Sequence, residues 1–302
     1  MRAWYSRNSR LLLRLAGTLL AVALIVVLVK EQGVDEIATA LKQISPSQIL
    51  LALAFVFISR ISIITRWYML LRATEMKISF RDALALSFAG LFATNFLPTT
   101  IGGDVVRLAG IMQMGYDRAI CLASIAADRL VGMFGMASVA PIGLVSSWGV
   151  LFGAGEIQML GISALPKRLF GFIKRTFQTF RIWFKKPTSL LNSFLCTFGH
   201  MFFTFAALYV IIEGTGSHVP FWMIAGLYSL VYYVTLLPIS INGYGVQELS
   251  LTFLFVQVGG LSAGISLTVA VLIRAMYVVA SLPGAAYLPF ILETINKTKQ
   301  AQ

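Results

Sequence analysis

The sequence predicts an all-α integral membrane protein, with about six spanning helices plus two Pro/Gly-broken re-entrant helical hairpins related as an inverted repeat. Three observations predict it. Hydrophobic residues make up 58% of the 302 and charged residues only 12%, with a mean hydropathy of +0.83; soluble chains carry roughly 25% charged residues. Apolar runs of about 20 residues, long enough to cross a bilayer core, recur along the chain. Two shorter apolar stretches are interrupted by proline and glycine in the same pattern. This composition excludes a disordered chain, a collagen-like chain and an ordinary soluble enzyme.

The elements follow in chain order. Residues 11–29 are almost wholly apolar and form a first span. The alternative is a signal peptide cleaved after Ala38-Thr39-Ala40, but that site lies about ten mostly polar residues beyond the apolar run. Residues 34–44 read as a short external helix. Ser45-Pro46 opens a second span over 47–71, with Arg60 near its middle and Arg66 near its inner end. Residues 118–140 form a third span containing Asp128-Arg129, and Gly-rich residues 142–165 a fourth. A fifth span covers 188–212. The last covers 262–291, with Arg274 inside it and Pro283 as its kink.

The broken segments lie between these spans. Ala83–Phe96 is apolar but short, runs into Leu97-Pro98-Thr99-Thr100-Ile101-Gly102-Gly103-Asp104, and resumes over 105–114. Proline removes a backbone donor and a glycine pair permits unusual dihedrals. At membrane depth such backbone is tolerated only inside protein or facing a cavity, which a re-entrant hairpin provides. Residues 220–258 repeat the plan around Leu237-Pro238-Ile239-Ser240-Ile241-Asn242-Gly243-Tyr244-Gly245-Val246-Gln247-Glu248. Each segment precedes a span with a mid-membrane arginine, Arg129 in one case and Arg274 in the other. One membrane domain therefore covers 1–302, with a first repeat over about 47–165 and a second over about 188–292.

Charge orients the chain. Lys and Arg total 24 against 12 acids, giving +12. The basic residues cluster at the N-terminus, in a 166–187 linker without acids, and at Lys297 and Lys299. Positive-inside topology accounts for them, places both termini in the cytoplasm of a cell with this chain in its inner membrane, and makes nucleic acid an unneeded partner. The linker alternates its basic residues with Phe170, Phe172, Phe177, Phe180 and Trp183, the pattern of an amphipathic interfacial helix attracted to anionic phospholipid. Arg72, Lys77 and Arg81 precede the first hairpin, whereas Glu213 and His218 precede the second. The hairpins thus enter from opposite sides, the inverted arrangement in which transporters place a site near the midplane.

Charges in apolar segments are the candidate site. Arg60, Asp104, Arg107, Asp128, Arg129, Glu248 and Arg274 each cost roughly 2.5–3.5 kcal/mol at a helix centre. Asp104 and Arg107 share a helix face, while adjacent Asp128 and Arg129 do not face each other. Two readings stay open: internal ion pairs that hold the hairpins, and a seat for a charged headgroup. Arginine suits phosphate because its planar fork donates two hydrogen bonds at once. Half-helices starting near Gly102-Gly103 and Gly243–Gly245 add free amides and a positive dipole end. Asn95, Thr99, Thr100, Ser240 and Asn242 supply hydrogen-bonding groups. Tyr228, Tyr232 and Tyr233 read as interfacial or core packing residues, with cavity lining as the alternative, His200 as a packed histidine, and Cys121 and Cys196 as reduced core thiols. There is no metal-ligand cluster, no P-loop and no Gly-x-Ser-x-Gly elbow, so no cofactor is expected.

The GGD-x-x-R of Gly102–Arg107, the Asp128-Arg129 pair, the Gly-x-Gly-x-x-Glu ending at Glu248, and the Arg60…Arg66-Trp67-Tyr68 stretch with Ser79-Phe80 resemble the lysylphosphatidylglycerol synthase transmembrane region family, also called flippase-like (UPF0104) proteins. The resemblance covers about residues 10–292. It implies a region that moves a lipid between leaflets, an aminoacylated phospholipid in some members and a polyprenyl-linked sugar in others. In the former a separate soluble domain attaches the amino acid; this chain ends at Gln302, so the synthase activity is not carried over.

The expected function is translocation of a phosphate-containing lipid headgroup, phospholipid or polyprenyl-phosphate-linked glycan, with Arg107, Arg129 and Arg274 on the phosphate. Alternatives are a membrane subunit anchoring or activating a cytoplasmic enzyme through the 166–187 linker, and a headgroup transferase with Asp104 or Glu248 as base. A homodimer and an enzyme partner both remain open.

Overall fold

The computed structural model describes Leu19 and residues 34–74, 76–97, 102–152, 186–237 and 240–287, and every regular element among them is helical. In chain order these are α1 (Val34–Gln43), α2 (Pro46–Ala73), α3 (Phe80–Thr94), α4 (Gly102–Gln113), α5 (Arg118–Phe152), α6 (Pro187–Gly214), α7 (Phe221–Leu236), α8 (Val246–Gln257) and α9 (Ala263–Ser281), with short 3-10 turns at Ile241–Gly243 and Leu282–Ala286. The first span expected over 11–29, Thr99 and Thr100, and nearly all of the basic linker lie outside the described residues.

Helix starts follow local chemistry. Pro46 and Pro187 occupy first-turn positions of α2 and α6, where a missing N–H breaks no helical bond. Ser45 caps α2: its side chain accepts from the Gln48 N–H, and Gln48 reaches back to the Ser45 N–H at 2.9 Å. Ser79 and Ser262 cap α3 and α9 by accepting the N–H of Asp82 and of Ile265, without the reciprocal bond.

Length separates two classes of helix. Four stretches among the described residues are long and apolar enough to cross a membrane: Pro46–Ala73, Arg118–Val150, Pro187–Gly214 and Ala263–Ala286. In contrast α3, α4, α7 and α8 have 15, 12, 16 and 12 residues. At 1.5 Å per residue they reach roughly 18–24 Å, short of a core about 30 Å thick. These four are the expected helix–break–helix units, joined in the pairs α3–α4 and α7–α8.

One expectation is corrected. The third and fourth spans, read as 118–140 and 142–165, are not separate up to Phe152. Residues 118–152 form one helix that continues through Pro141. Proline is tolerated in membrane helices because neighbouring groups take over the freed backbone. Beside it the α5 backbone lies directly on α7: a Cβ on Gly226 would sit 2.5 Å from the Gly143 nitrogen. Small residues at such crossings let helix backbones touch. The last span gives way to a 3-10 turn at Leu282–Ala286, beside the anticipated kink at Pro283.

Helices α2 and α6 run antiparallel. Ser59 Oγ lies 2.6 Å from His200 Nδ1, Arg66 donates to the Thr197 hydroxyl, and Gln48 lies beside Gly214 at the opposite end. Each helix has 28 residues, and Ser59 and His200 are each the fourteenth. A larger core joins α2, α6, α7, α8 and α9 through Val56, Leu208, Ile224, Phe255 and Ile273. A smaller one joins α2, α3, α4 and α5 through Trp67, Ala89, Ile111 and Cys121. Leu50, Val145, Leu191 and Leu195 are exposed, as a lipid-facing surface requires.

Candidate functional site

Both broken segments bring a carboxylate to the third residue of a short helix. In α4 it is Asp104, and in α8 it is Glu248. Each meets the arginine at the twelfth position of the helix that follows. Arg129 of α5 donates through Nε to Asp104, and Arg274 of α9 donates through Nε to Glu248, each at 2.5 Å. The sequence pairing of the two segments thus extends to the same ion pair in the same place.

The local backbone explains why. After α7 the chain turns through Asn242, Gly243 and Gly245, all with positive φ, a conformation glycine adopts without a Cβ penalty. Their freed backbone groups find partners within the protein. Glu248 accepts the Gly245 N–H at 2.7 Å, and Arg274 donates to the carbonyls of Asn242 and Gly243 at 3.4 and 3.3 Å. In the first unit α3 and α4 close tightly: a Cβ on Gly90 would lie 2.7 Å from the Gly103 carbonyl. Gly102 starts α4 buried against Leu97. Asn95, at the end of α3, donates to Ser281 Oγ of α9 at 2.8 Å.

The first unit carries additional charge. Asp128 of α5 accepts Arg66 Nε at 2.7 Å on one oxygen and both terminal nitrogens of Arg107 at 3.1 Å on the other. Arg107 also reaches Asp104 at 3.2 Å and stacks over Trp67, its guanidinium carbon 3.9 Å from the ring centroid. Ile273 of α9 stands at the eleventh position, where α5 has Asp128. Arg60 of α2 differs from all of these. It lies over the Tyr277 ring at 4.2 Å and makes no ion pair with any described residue.

These side chains surround a cavity of about 340 Å3, within the range of small-molecule sites, about 300–1,000 Å3. Of the expected residues, Arg60, Asn95, Gly103, Asp104, Arg107 and Asp128 line it, as do Arg129, Asn242 and Arg274. Gly102, Ser240, Gly243, Gly245 and Glu248 are not part of the lining; Glu248 and the Gly243 carbonyl hold the lining residue Arg274. Sequence reasoning missed Arg66, Ser87, Gln247 and Tyr277. Arg66 carries the same signal as Arg60, a cation within an apolar run. Tyr228 and Tyr232 line the cavity as well, the alternative reading of that cluster; Tyr228 shares a 2.7 Å hydroxyl contact with Tyr277, whereas Tyr233 donates to the Met133 carbonyl. His200 also faces it.

Electrostatics define what the cavity accepts. Among the described residues five arginines and two aspartates line it, an excess of three positive charges. Counting Glu248 behind Arg274, the excess is two. No group of three metal-ligating side chains occurs among the described residues. The family model described as the lysylphosphatidylglycerol synthase TM region matches residues 14–284. No curated protein matches the chain.

Proposed function

The chain belongs to that family of membrane proteins of lipid modification or transport, and on this premise we propose that it carries a phosphate-bearing lipid headgroup between leaflets. The observation that supports the reading is the arginine-rich cavity enclosed by two broken-helix units and by helices long enough to cross the bilayer. The short units are re-entrant hairpins entering from opposite sides, with their carboxylate–arginine pairs at corresponding positions. The headgroup passes through the cavity while its tails stay in lipid. The chain acts as a carrier and not as a catalyst, sits in the inner membrane and keeps both termini cytoplasmic. Its linker rests on anionic phospholipid.

Arg60 gives a clean test, because its removal orphans no carboxylate. Purified protein is reconstituted into liposomes with fluorescent phospholipids and a short-chain polyprenyl-phosphate sugar, and crossing is read by dithionite quenching or headgroup accessibility. Wild type moves a phosphate-bearing lipid; Arg60→Gln folds and loses most of that rate. If no lipid crosses under either a proton gradient or a membrane potential, the carrier reading fails.

A further inference from the structure

We infer that the group seated in the cavity carries at least two negative charges and no ammonium: a phosphomonoester or a diphosphate, rather than a zwitterionic or aminoacylated headgroup. This rests on the carrier reading for the source of that group, a lipid, but its chemistry stands on three separate observations.

The first is the charge excess. A zwitterionic headgroup leaves it unchanged and a cationic one enlarges it; a dianion or trianion cancels it. The second is the occupancy of the carboxylates. An ammonium is best held by a carboxylate that has no cation of its own, and each carboxylate at the cavity is already paired with arginine. Asp104 holds Arg107 and Arg129, Asp128 holds Arg66 and Arg107, and Glu248 holds Arg274 and the Gly245 amide. The third is the set of buried polar atoms without a partner. Among the described residues four such atoms occur, and one of them, Thr252 Oγ1, lies away from the cavity lining. The other three, Ser87 Oγ, Arg107 Nε and Gln247 Nε2, belong to residues that line it and are 5%, 9% and 8% exposed. Each of these atoms is able to donate a hydrogen bond. A buried donor left without an acceptor is costly, and phosphate oxygens are acceptors throughout. Arg60 supplies the charge that no described carboxylate competes for, Arg107 a charged donor, and Ser87 and Gln247 neutral ones.

The experiment separates charge from transport. Detergent-purified full-length protein is titrated with inorganic pyrophosphate, with inorganic phosphate, and with glycerophosphocholine at matched ionic strength, and thermal unfolding is followed. Pyrophosphate raises the melting temperature saturably, phosphate less, and glycerophosphocholine not at all. Arg60→Gln weakens pyrophosphate about tenfold or more, as loss of a charged hydrogen bond does, and Arg60→Lys recovers part of it. The second arm uses liposomes holding a short-chain polyprenyl diphosphate, phosphatidylcholine or a lysyl-modified phosphatidylglycerol. Faster crossing of the diphosphate supports the inference. Equal or faster crossing of the lysyl lipid overturns it and leaves the carrier reading intact. Pyrophosphate binding with no lipid crossing upholds the charge class and assigns it to a soluble anion, overturning the carrier reading instead. Absence of pyrophosphate stabilisation in folded wild type overturns the inference outright.

Discussion

Asp128→Asn removes one charge from the first-half network and almost no volume. Its carboxylate is 3% exposed and serves two arginines. After the substitution Arg107 keeps Asp104 at 3.2 Å, but Arg66 keeps only the Thr197 hydroxyl at 3.3 Å. Removing one partner of a buried pair costs about 3–5 kcal/mol, mostly the penalty of the charge left behind. Because only Arg66 is orphaned here, the expected loss is at the lower end, about 3 kcal/mol. Unfolding in mixed micelles with increasing sodium dodecyl sulfate, followed by tryptophan fluorescence, measures it. The double variant Arg66→Met with Asp128→Asn removes the orphan and recovers at least half of the loss. A loss below about 1 kcal/mol in the single variant, or strict additivity in the double, refutes the reasoning.

Four further outcomes are expected. Gly226→Val pushes α7 off α5, since even a Cβ there would lie 2.8 Å from the Gly143 Cα; overpacking of this kind costs about 1–3 kcal/mol, read as a lowered melting temperature. Gly149→Ala on α5 meets no atom of the described residues within 4 Å and is neutral or stabilising by up to about 1 kcal/mol. Ser45→Ala breaks the reciprocal cap of α2 and lowers unfolding free energy by about 0.5–2 kcal/mol in the same denaturation assay. Asn95→Ala breaks the contact with Ser281; hydrogen bonds between membrane helices average about 0.6 kcal/mol, so stability barely changes.

The membrane class was legible because hydropathy is a sum over many residues and tolerates local error. The two broken units were legible because proline and glycine act on the backbone wherever they stand. Asp104–Arg107 followed from helical spacing, and the mutual avoidance of Asp128 and Arg129 from the same geometry. What spacing could not supply was the choice of partner across elements. Arg66 lies 62 residues from Asp128, and nothing local distinguishes it from Arg60, which takes an aromatic ring instead. The division between 118–140 and 142–165 failed for a related reason: packing between Gly143 and Gly226 and the apolar surroundings favour a helix that continues through Pro141. The unpartnered donors at Ser87 and Gln247 are properties of a filled volume and have no sequence signature.

The Ser59–His200 contact has a mechanical consequence. It joins the midpoints of two antiparallel helices of equal length, roughly 21 Å from each end at 1.5 Å per residue. Arg66 with Thr197 on one side and Gln48 beside Gly214 on the other fix the same pair above and below that point. The two helices are therefore a strut pinned at three levels, with its central pin beside the cavity.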